Sequence, residues 1–463
     1  MPDPHDTLPE ALRKRLAQCF DADALLLSPA QRLSYGYDNS RRSAMPAAVV
    51  LPTETAQVVE LVRACRAQRM PIIARGRGTN TTGATVPVHG GVVVSFERMN
   101  RLLRMAPEDR VALVEPGLLN GDLQLAAKSH ALFWPPDPTS AAYSSIAGNI
   151  ACNAGGPRAV KYGACRDNVL GVAAVTGAGE LIRCGGATSK AASGYDFTRF
   201  IVGSEGTLAL IVEATLALRP LPSARRALRA LYADVETAAA VARLMAQAHT
   251  PSMLEFMDGE CVRLARAIGG ADIPAAGALL MIEADGDADT LDAAVAALER
   301  AASGPGLIAL STAPDEAASE TLWAARKALS PSLRSIAAGK INEDVVVPVS
   351  RIPALVTGVS ALAREFELAI VNFGHVGNGN LHVNILYDPA DAAQSARAHA
   401  VLPRVFALTL ALGGTLSGEH GIGLGKRAFM TQAHSAETLG LMRAVKAQFD
   451  PDGILNPGKL LPE

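Results

Sequence analysis

The sequence predicts an α+β protein of two or three domains, and three observations support this. Its 463 residues, 49% hydrophobic and 19% charged, are enough to bury more than one core. Helices and short strands alternate around glycine-rich loops in the N-terminal part. After Arg219-Pro-Leu-Pro222 the composition changes to Ala-rich helices separated by strands such as Ala278–Glu283, so we expect a domain boundary there.

Two helices and two strands are predicted around the first glycine loop. Thr7-Leu-Pro-Glu10 has the pattern of a capping box and predicts a helix that runs to about Gln18. Apolar residues between Val58 and Cys65 recur at helical spacing and predict a helix leading into a buried strand, Met70–Ala74. The segment Gly91–Phe96 predicts the next strand.

The charge and the hydropathy pattern argue against several classes of protein. A formal net charge of -2 provides no basic field for nucleic acid, and no apolar window is long enough to form a transmembrane segment. The polar start Met1–Asp6 predicts no secretory signal. The scattered cysteines form no Cys-x-x-Cys pair and are expected to be reduced residues of a cytoplasmic protein.

The loop Arg75–Thr85 combines glycines with small hydroxyl side chains. Such a loop lets consecutive backbone N–H groups approach a diphosphate closely and bind it with little side-chain charge. It is not the dinucleotide fingerprint of the doubly wound fold, because Thr81 stands where the third glycine is required. Gly425-Lys426 fails as a P-loop because Arg427 follows it. A plain surface turn remains the alternative for the Arg75–Thr85 loop.

Further glycine-rich connections imply close backbone approach to something flat and extended. They are Pro135–Pro138, Gly148–Gly156, Lys161–Gly163 and Val202–Thr207. The turn-rich tail Phe449–Lys459 must dock on another part of the chain to be ordered.

Two imidazoles and a carboxylate occur in glycine-rich turns near the C-terminus: His375, His382 and Glu419. A His, His, Glu ligand set leaves a divalent ion positively charged, with an open coordination position. His420, the next residue, is then available to move protons. The alternative is that each histidine is an ordinary core or surface residue. Alternation in the neighbouring run predicts a strand that places His382 and Asn384 on one face.

These motifs together resemble the FAD-dependent D-2-hydroxy-acid dehydrogenases, with D-lactate, D-2-hydroxyglutarate and glycolate members, of the vanillyl-alcohol-oxidase superfamily. The similarity runs from about Pro46 to the tail. It implies a two-part FAD-binding domain over residues 1–222. An α+β substrate (cap) domain with an antiparallel sheet and the metal site would span 223–420. The segment 421–463 would return to the FAD domain.

The resemblance also implies roles for individual residues. His375, His382 and Glu419 would bind zinc or manganese, and His420 would be the catalytic base. The residues that would surround FAD are Arg75, Gly76, Arg77, Gly78, Thr79, Asn80, Gly83, Ala84, Pro138, Thr139, Gly148, Asn149, Asn153, Gly155, Gly163, Glu205, Gly206 and Asn456. Covalent members of the superfamily often have a histidine in the diphosphate loop, where this chain has Thr79 and Asn80, so noncovalent FAD is expected.

Substrate recognition is predicted from a helix that resembles the family's carboxylate-binding segment. Arg326 offers a bidentate fork for an α-carboxylate, and Ser330 lies one turn further on. Lys340 falls near the position that binds a second carboxylate, but its spacing to Pro348 is not that of the hydroxyglutarate enzymes. Asn384 would complete the catalytic set. A D-monocarboxylate such as D-lactate is favoured, with a D-2-hydroxyglutarate dehydrogenase or a glycolate oxidase-type subunit as the alternatives.

The expected reaction is oxidation of a small-molecule 2-hydroxy acid by hydride transfer to flavin N5, with metal assistance and His420 as base. A zinc hydrolase or lyase, and a flavin-binding electron-relay subunit without turnover, are the rival hypotheses. The expected downstream electron acceptor is an electron-transfer flavoprotein, a quinone or a cytochrome. The sequence leaves three points open: whether the protein forms a homodimer, whether it attaches peripherally to the inner face of the membrane, and whether it is an oxidase or a dehydrogenase.

Overall fold

The computed structural model describes residues 5, 7–233, 237–269, 274–323, 333 and 337–462. The chain divides into two compact units. The first comprises Met1–Gly156, Gly163–Leu221 and Glu419–Glu463. The second comprises Pro157–Tyr162 and Pro222–Gly418.

The strands are numbered in chain order. They are β1 (Leu25–Leu26), β2 (Ala48–Val50), β3 (Ile72–Arg75), β4 (Val92–Ser95), β5 (Leu102–Ala106), β6 (Val111–Val114), β7 (Leu132–Phe133), β8 (Val169–Thr176), β9 (Leu181–Gly185), β10 (Ala209–Ala217), β11 (Arg219–Pro220), β12 (Ala224–Tyr232), β13 (Met253–Asp258), β14 (Ala278–Gly286), β15 (Leu307–Thr312), β16 (Gly339–Val346), β17 (Ala369–Gly374) and β18 (Asn380–Tyr387).

The α-helices are numbered in the same way. They are α1 (Glu10–Cys19), α2 (Pro29–Leu33), α3 (Thr55–Ala67), α4 (Asn120–Lys128), α5 (Ile146–Cys152), α6 (Ala159–Tyr162), α7 (Cys165–Asn168), α8 (Phe197–Ile201), α9 (Thr237–Met245), α10 (Gly259–Gly269), α11 (Ala288–Ala302), α12 (Ile352–Glu365), α13 (Ala392–Ala411), α14 (Met430–Ala433) and α15 (Ala436–Phe449).

The first unit begins with a four-stranded sheet in the order β1-β2-β4-β3, in which β2, β4 and β3 run parallel. These three strands are short apolar runs, as expected for parallel strands buried on both faces. Helix α3 packs against this sheet through Val58, Leu61, Val62 and Cys65, which confirms the predicted helix. Each large apolar side chain buried in this way contributes about 1.5–3 kcal/mol relative to an exposed one.

Helix α1 forms where it was expected, but the predicted capping box is wrong. The helix begins at Glu10 and its N-cap residue is Pro9, with no side-chain hydrogen bond at the cap. With Thr7 as the cap, Leu8 would have to be helical. Proline clashes with a helical residue directly before it, so the helix cannot begin until after Leu8.

The first unit also contains an antiparallel sheet in the order β5-β6-β10-β8-β9 and a two-stranded antiparallel pair, β11 with β7. The five-stranded sheet has a separate core with α4 and α5, which includes the fully buried Trp134. The two larger sheets agree with the two-part first domain that the resemblance implies. The tail docks beside β3, where Ile72 N–H donates to the carbonyl of Ile454 (2.8 Å) and Asn456 N–H donates to that of Ile72 (2.8 Å).

The second unit contains a seven-stranded sheet in the order β15-β12-β14-β13-β17-β18-β16. Every neighbouring pair in it is antiparallel, as predicted for the substrate (cap) domain. The segment Pro157–Tyr162 belongs to this unit, although the resemblance implied that it lies in the domain formed by residues 1–222. Lys161 donates to the Asp285 carbonyl (3.1 Å), and the hydroxyl of Tyr162 donates to the Asp285 carboxylate (2.7 Å). These bonds attach the segment to β14.

A search of the described helices finds none with the length and apolar character that crossing a membrane requires.

Candidate functional site

The glycine loop starts where β3 ends and lies against the first turn of α5. A Cβ atom added to Gly76 would come within 2.2 Å of Ser145 Oγ, so any side chain there would displace the hydroxyl that caps α5. Asn80 fixes the middle of the loop, because its Oδ1 accepts N–H groups from Thr82 (2.9 Å) and Ala84 (3.1 Å). The loop is therefore held in shape by its own side chains.

The arginines of this loop are occupied by contacts within the protein. The Arg75 guanidinium donates to the carbonyls of Tyr37 (2.7 Å) and Ser34 (3.2 Å), and Arg77 lies 3.9 Å from Glu97. The sequence-based expectation that backbone N–H groups rather than cationic side chains bind a diphosphate fits this arrangement.

Several buried polar side-chain atoms in or beside the predicted FAD segments form no hydrogen bond to any residue that the structure describes. Among them are Thr81 Oγ1, Ser144 Oγ and Asn149 Nδ2. Buried polar groups are almost always hydrogen-bonded, so atoms of this kind indicate a polar ligand. These residues fit a cofactor with many hydrogen-bonding groups, as FAD has.

The remaining predicted FAD residues lie in turns of the first unit or, like Gly148, in the short helix α5. Asn153 has a positive φ of 51°, and its side-chain oxygen accepts a hydrogen bond from the backbone N–H of Arg166 (2.9 Å). The carbonyl of Gly155 accepts a hydrogen bond from the backbone N–H of Asp137 (3.0 Å). Thr139 is exposed. Pro138 accepts the Ala141 N–H (2.8 Å), and Gly148 N–H donates to Ser145 Oγ (3.3 Å). Four predicted glycines adopt positive φ: Gly78 (67°), Gly83 (83°), Gly163 (78°) and Gly206 (69°). Their contacts with FAD stay predictions.

Glu205 holds the backbone that follows His420. Its two carboxylate oxygens accept the N–H groups of Ile422 (2.6 Å) and Gly423 (2.8 Å). Burial raises the pKa of Glu205, and these two bonds oppose the shift. The carbonyl of His420 itself accepts from Asn80 Nδ2 (3.0 Å). Two predicted FAD-binding residues thus fix the chain directly after the proposed base.

Asn456 ties the tail to the same segments. Its Nδ2 donates to the carbonyls of Ala84 (2.9 Å) and Glu205 (2.7 Å), and its Oδ1 accepts from Lys459 Nζ (3.1 Å). Burial lowers the pKa of Lys459 to about 8, and the charges of Asp38 and Glu205 oppose this shift.

The structure brings the three predicted metal ligands together. One ligand atom from each of His375, His382 and Glu419 lies within 4.8 Å of the others. His375 directly follows β17, His382 lies on β18, and both are buried. Their Nε2 atoms are 3.5 Å apart, which is too long for a strong hydrogen bond. Two nitrogens at about 2.1 Å from a tetrahedral Zn²⁺ would be about 3.4 Å apart, so the histidine pair fits a shared divalent ion.

A carboxylate behind His375 was not found from the sequence. Glu255 on β13 is bonded to Nδ1 of His375, and its side chain is only 1% exposed. When Nδ1–H donates to a carboxylate, the lone pair of Nε2 is left for a metal. The one signal for Glu255 was a charged residue inside the apolar run of β13.

Of the four predicted substrate-binding residues, the structure describes only Asn384 and Lys340. Asn384 is fully buried, and its Nδ2 donates to the carbonyls of Val371 (3.1 Å) and His382 (3.1 Å). Its Oδ1 has no hydrogen-bond partner within the described part of the chain. Lys340 lies on β16, in register with Leu386. Arg326 and Ser330 lie outside the described residues.

Two family models match this chain. One, described as FAD linked oxidases, C-terminal domain, matches residues 221–460, and the other, described as FAD binding domain, matches residues 46–185. Among solved structures, p-cresol methylhydroxylase with substrate bound superposes with a TM-score of 0.80 at 16% identity. The match covers 97% of this chain and 96% of that one, and it shows the fold alone.

Three relatives are similar over nearly the full length. Glycolate oxidase subunit GlcD of Bacillus subtilis (strain 168) is 37% identical, covering 94% of this chain and 93% of the relative. D-lactate dehydrogenase of Anaerostipes hadrus is 33% identical, with 90% of each chain covered. D-2-hydroxyglutarate dehydrogenase of Stutzerimonas stutzeri (strain A1501) is 34% identical, covering 92% of this chain and 94% of the relative. The chain therefore belongs to the family of FAD-linked oxidases that includes these glycolate, D-lactate and D-2-hydroxyglutarate enzymes.

Proposed function

We propose that this chain oxidises a D-2-hydroxy acid to the corresponding 2-oxo acid, with FAD and a divalent ion as cofactors. The observation that carries the proposal is the convergence of ligand atoms from His375, His382 and Glu419. His420 is the next residue in the chain, so a proton acceptor adjoins the ligand set. Membership of an FAD-linked oxidase family supports the redox chemistry.

The proposed reaction removes the hydroxyl proton and a hydride from neighbouring atoms of the substrate. When bound, FAD accepts the hydride and the divalent ion lowers the pKa of the substrate hydroxyl. His420 takes the hydroxyl proton, which requires its neutral imidazole form. His375, His382 and Glu419 hold the ion, and Glu255 keeps His375 in the tautomer that exposes the Nε2 lone pair.

The rival hypotheses are weaker than this one. A zinc hydrolase or lyase would use the same ligands but would leave residues 46–185, which match an FAD-binding domain, without a role. An electron-relay subunit without turnover would have no need of a metal-ligand set followed directly by a histidine. An oxidoreductase uses both halves of the chain.

For the substrate we propose a D-monocarboxylate, D-lactate or a related acid, rather than D-2-hydroxyglutarate. Relatives of both kinds are similar to the chain to nearly the same degree, so overall similarity does not decide between them. The proposal rests on the altered spacing between Lys340 and Pro348. Arg326 is proposed to bind the α-carboxylate that all candidate substrates share.

Steady-state kinetics with a panel of acids tests this choice. We expect a higher kcat/KM for D-lactate than for D-2-hydroxyglutarate. Arg326→Ala should lower kcat/KM for every acid by about 10²-fold, the effect of losing a charged hydrogen-bonding pair. Lys340→Ala is the matched variant and should leave D-lactate oxidation nearly unchanged. A wild-type preference for D-2-hydroxyglutarate, lost in Lys340→Ala, would contradict the monocarboxylate assignment.

We further propose that FAD is held without a covalent bond. The loop 75–85 has no His, Cys or Tyr that could form such a bond. Cys152 lies next to it, 3.3 Å from Asn80 Nδ2, but burial raises the pKa of this thiol to about 12 and keeps it protonated and poorly nucleophilic. Acid precipitation should release all of the FAD into the supernatant. Flavin remaining in a wild-type pellet, and lost from a Cys152→Ser pellet, would show a thioether instead.

The electrons must leave the reduced cofactor to an acceptor that the chain does not contain. We propose an electron-transfer flavoprotein, a quinone or a cytochrome as acceptor, with the protein in the cytoplasm or peripheral at the inner face of the membrane. Assembly as a homodimer is part of the same proposal.

A further inference from the structure

We infer that Asp344 is a positioning residue of the proposed metal site, which fixes both the His382 strand and the peptide that leads to Glu419. The inference rests on the metal site of the proposed function. Asp344 was not singled out as a site residue in the sequence, and it offers no ligand atom to the three-residue cluster itself.

The position of Asp344 follows from strand register. It lies on β16 directly opposite His382 on β18, so both side chains lie on the same face of the sheet. Asp344 is 0% exposed. Its Oδ1 lies 3.9 Å from Nδ1 of His382 and accepts a hydrogen bond from Asn380 Nδ2 at 2.5 Å. One carboxylate oxygen thus faces the strand that carries a proposed ligand.

The other oxygen of Asp344 holds the loop before Glu419. Oδ2 accepts the N–H of Gly418 (2.9 Å) and the hydroxyl of Ser417 (3.0 Å). A Cβ atom on Gly418 would come within 2.7 Å of Asn380 Nδ2, so the close approach requires glycine. Gly418 is joined directly to Glu419, and its peptide therefore sets where that ligand starts.

The arrangement has a physical reason. A buried carboxylate is costly unless it is well hydrogen-bonded, and here it accepts from a side-chain amide, a hydroxyl and a backbone N–H. Glu255 performs the comparable task behind His375. Glu255 contacts one proposed ligand, whereas the bonds of Asp344 hold the segments beside two of them, His382 and Glu419, so its loss should disturb the ligand geometry more widely.

The test is Mn²⁺ binding to the full-length, FAD-loaded protein after removal of metal, followed by electron paramagnetic resonance. This method gives the Kd and also a spectrum of the bound ion that reports its ligands. Asp344→Asn keeps the size of the side chain but places an N–H₂ group against one of the present donors. We expect the Kd to rise about 10–100-fold, as for other residues that orient metal ligands, and the bound spectrum to change.

Asp258→Asn is the matched control. Asp258 is partly buried and accepts from the N–H groups of Cys261 (2.9 Å) and Asn372 (2.6 Å). Met257 pairs with Phe373, which in turn pairs with His382, so these three side chains lie on one face of the sheet. Asp258 is the next residue after Met257 and therefore lies on the face opposite to His382. This variant should lose stability but keep the wild-type Kd and spectrum.

The outcomes separate the two claims. Wild-type protein that binds no Mn²⁺ would overturn the proposed metal site itself. If the wild type binds Mn²⁺ and Asp344→Asn shows the same Kd and the same spectrum, only the role of Asp344 would be overturned. If Asp344→Asn does not fold, Ser417→Ala removes one of the donors and should raise the Kd by a smaller factor, and an unchanged Kd in that variant would likewise overturn the inference.

Discussion

His420→Ala is expected to lower kcat by about 10²–10⁴-fold, the usual contribution of a general base. The residue follows the proposed ligand Glu419, and its carbonyl is fixed by Asn80 (3.0 Å) while Glu205 holds the next two peptides. Alanine preserves these backbone bonds and removes only the imidazole. FAD content and bound metal should therefore equal those of the wild type.

His130→Ala provides the control, because His130 is an exposed histidine of the same unit. Its kcat should match that of the wild type. Near-normal turnover of His420→Ala across the pH range would show that another group takes the proton. A loss of FAD together with activity would mean that the residue acts on cofactor binding instead.

Removal of the metal is expected to abolish turnover and leave FAD in place. A divalent ion typically stabilises the transition state by several kcal/mol, so its removal should lower the rate by about 10³-fold or more. Treatment of the wild-type protein with a chelator should produce this loss, and added Mn²⁺ or Zn²⁺ should restore the activity. His382→Ala should show the same loss without restoration. The proposed FAD ligands lie in the first unit and His382 lies in the second, so the flavin content should not change.

His399→Ala is the matched variant, because His399 is an exposed histidine on α13 of the same unit as His382. It should keep both metal and activity. Full turnover in protein shown by elemental analysis to be free of metal would contradict the proposed role of the ion. Restoration of His382→Ala by added metal would instead remove His382 from the ligand set.

Local patterns were enough to predict the strand that carries His382. The alternation over Leu381–Leu386 predicted β18, and its polar positions do lie on one face. Alternation normally indicates a strand with one solvated face, whereas β18 is buried on both. His382 and Asn384 are polar because they face the site rather than solvent.

Long-range partners could not be predicted in this way. The contact between Glu255 and His375 joins residues 120 positions apart, and that between Glu205 and Ile422 joins residues 217 apart. Neither pair shares a local motif, and each depends on which strands or loops become neighbours. Asp344 becomes recognisable only once the register of β16 with β18 is known. The attachment of Lys161 and Tyr162 to Asp285 is a further case, which placed a short segment in the second unit.

The most direct test of the proposed function is the reduction of the bound flavin by substrate in the absence of oxygen. Metal-replete protein is mixed with D-lactate, D-2-hydroxybutyrate, glycolate or D-2-hydroxyglutarate, and with the L-enantiomers of the chiral acids, and the visible flavin absorbance is followed. The account predicts rapid bleaching by at least one D-acid, none by its L-enantiomer, and none after chelation. Flavin that stays oxidised with every 2-hydroxy acid, in protein that contains both FAD and metal, would contradict it.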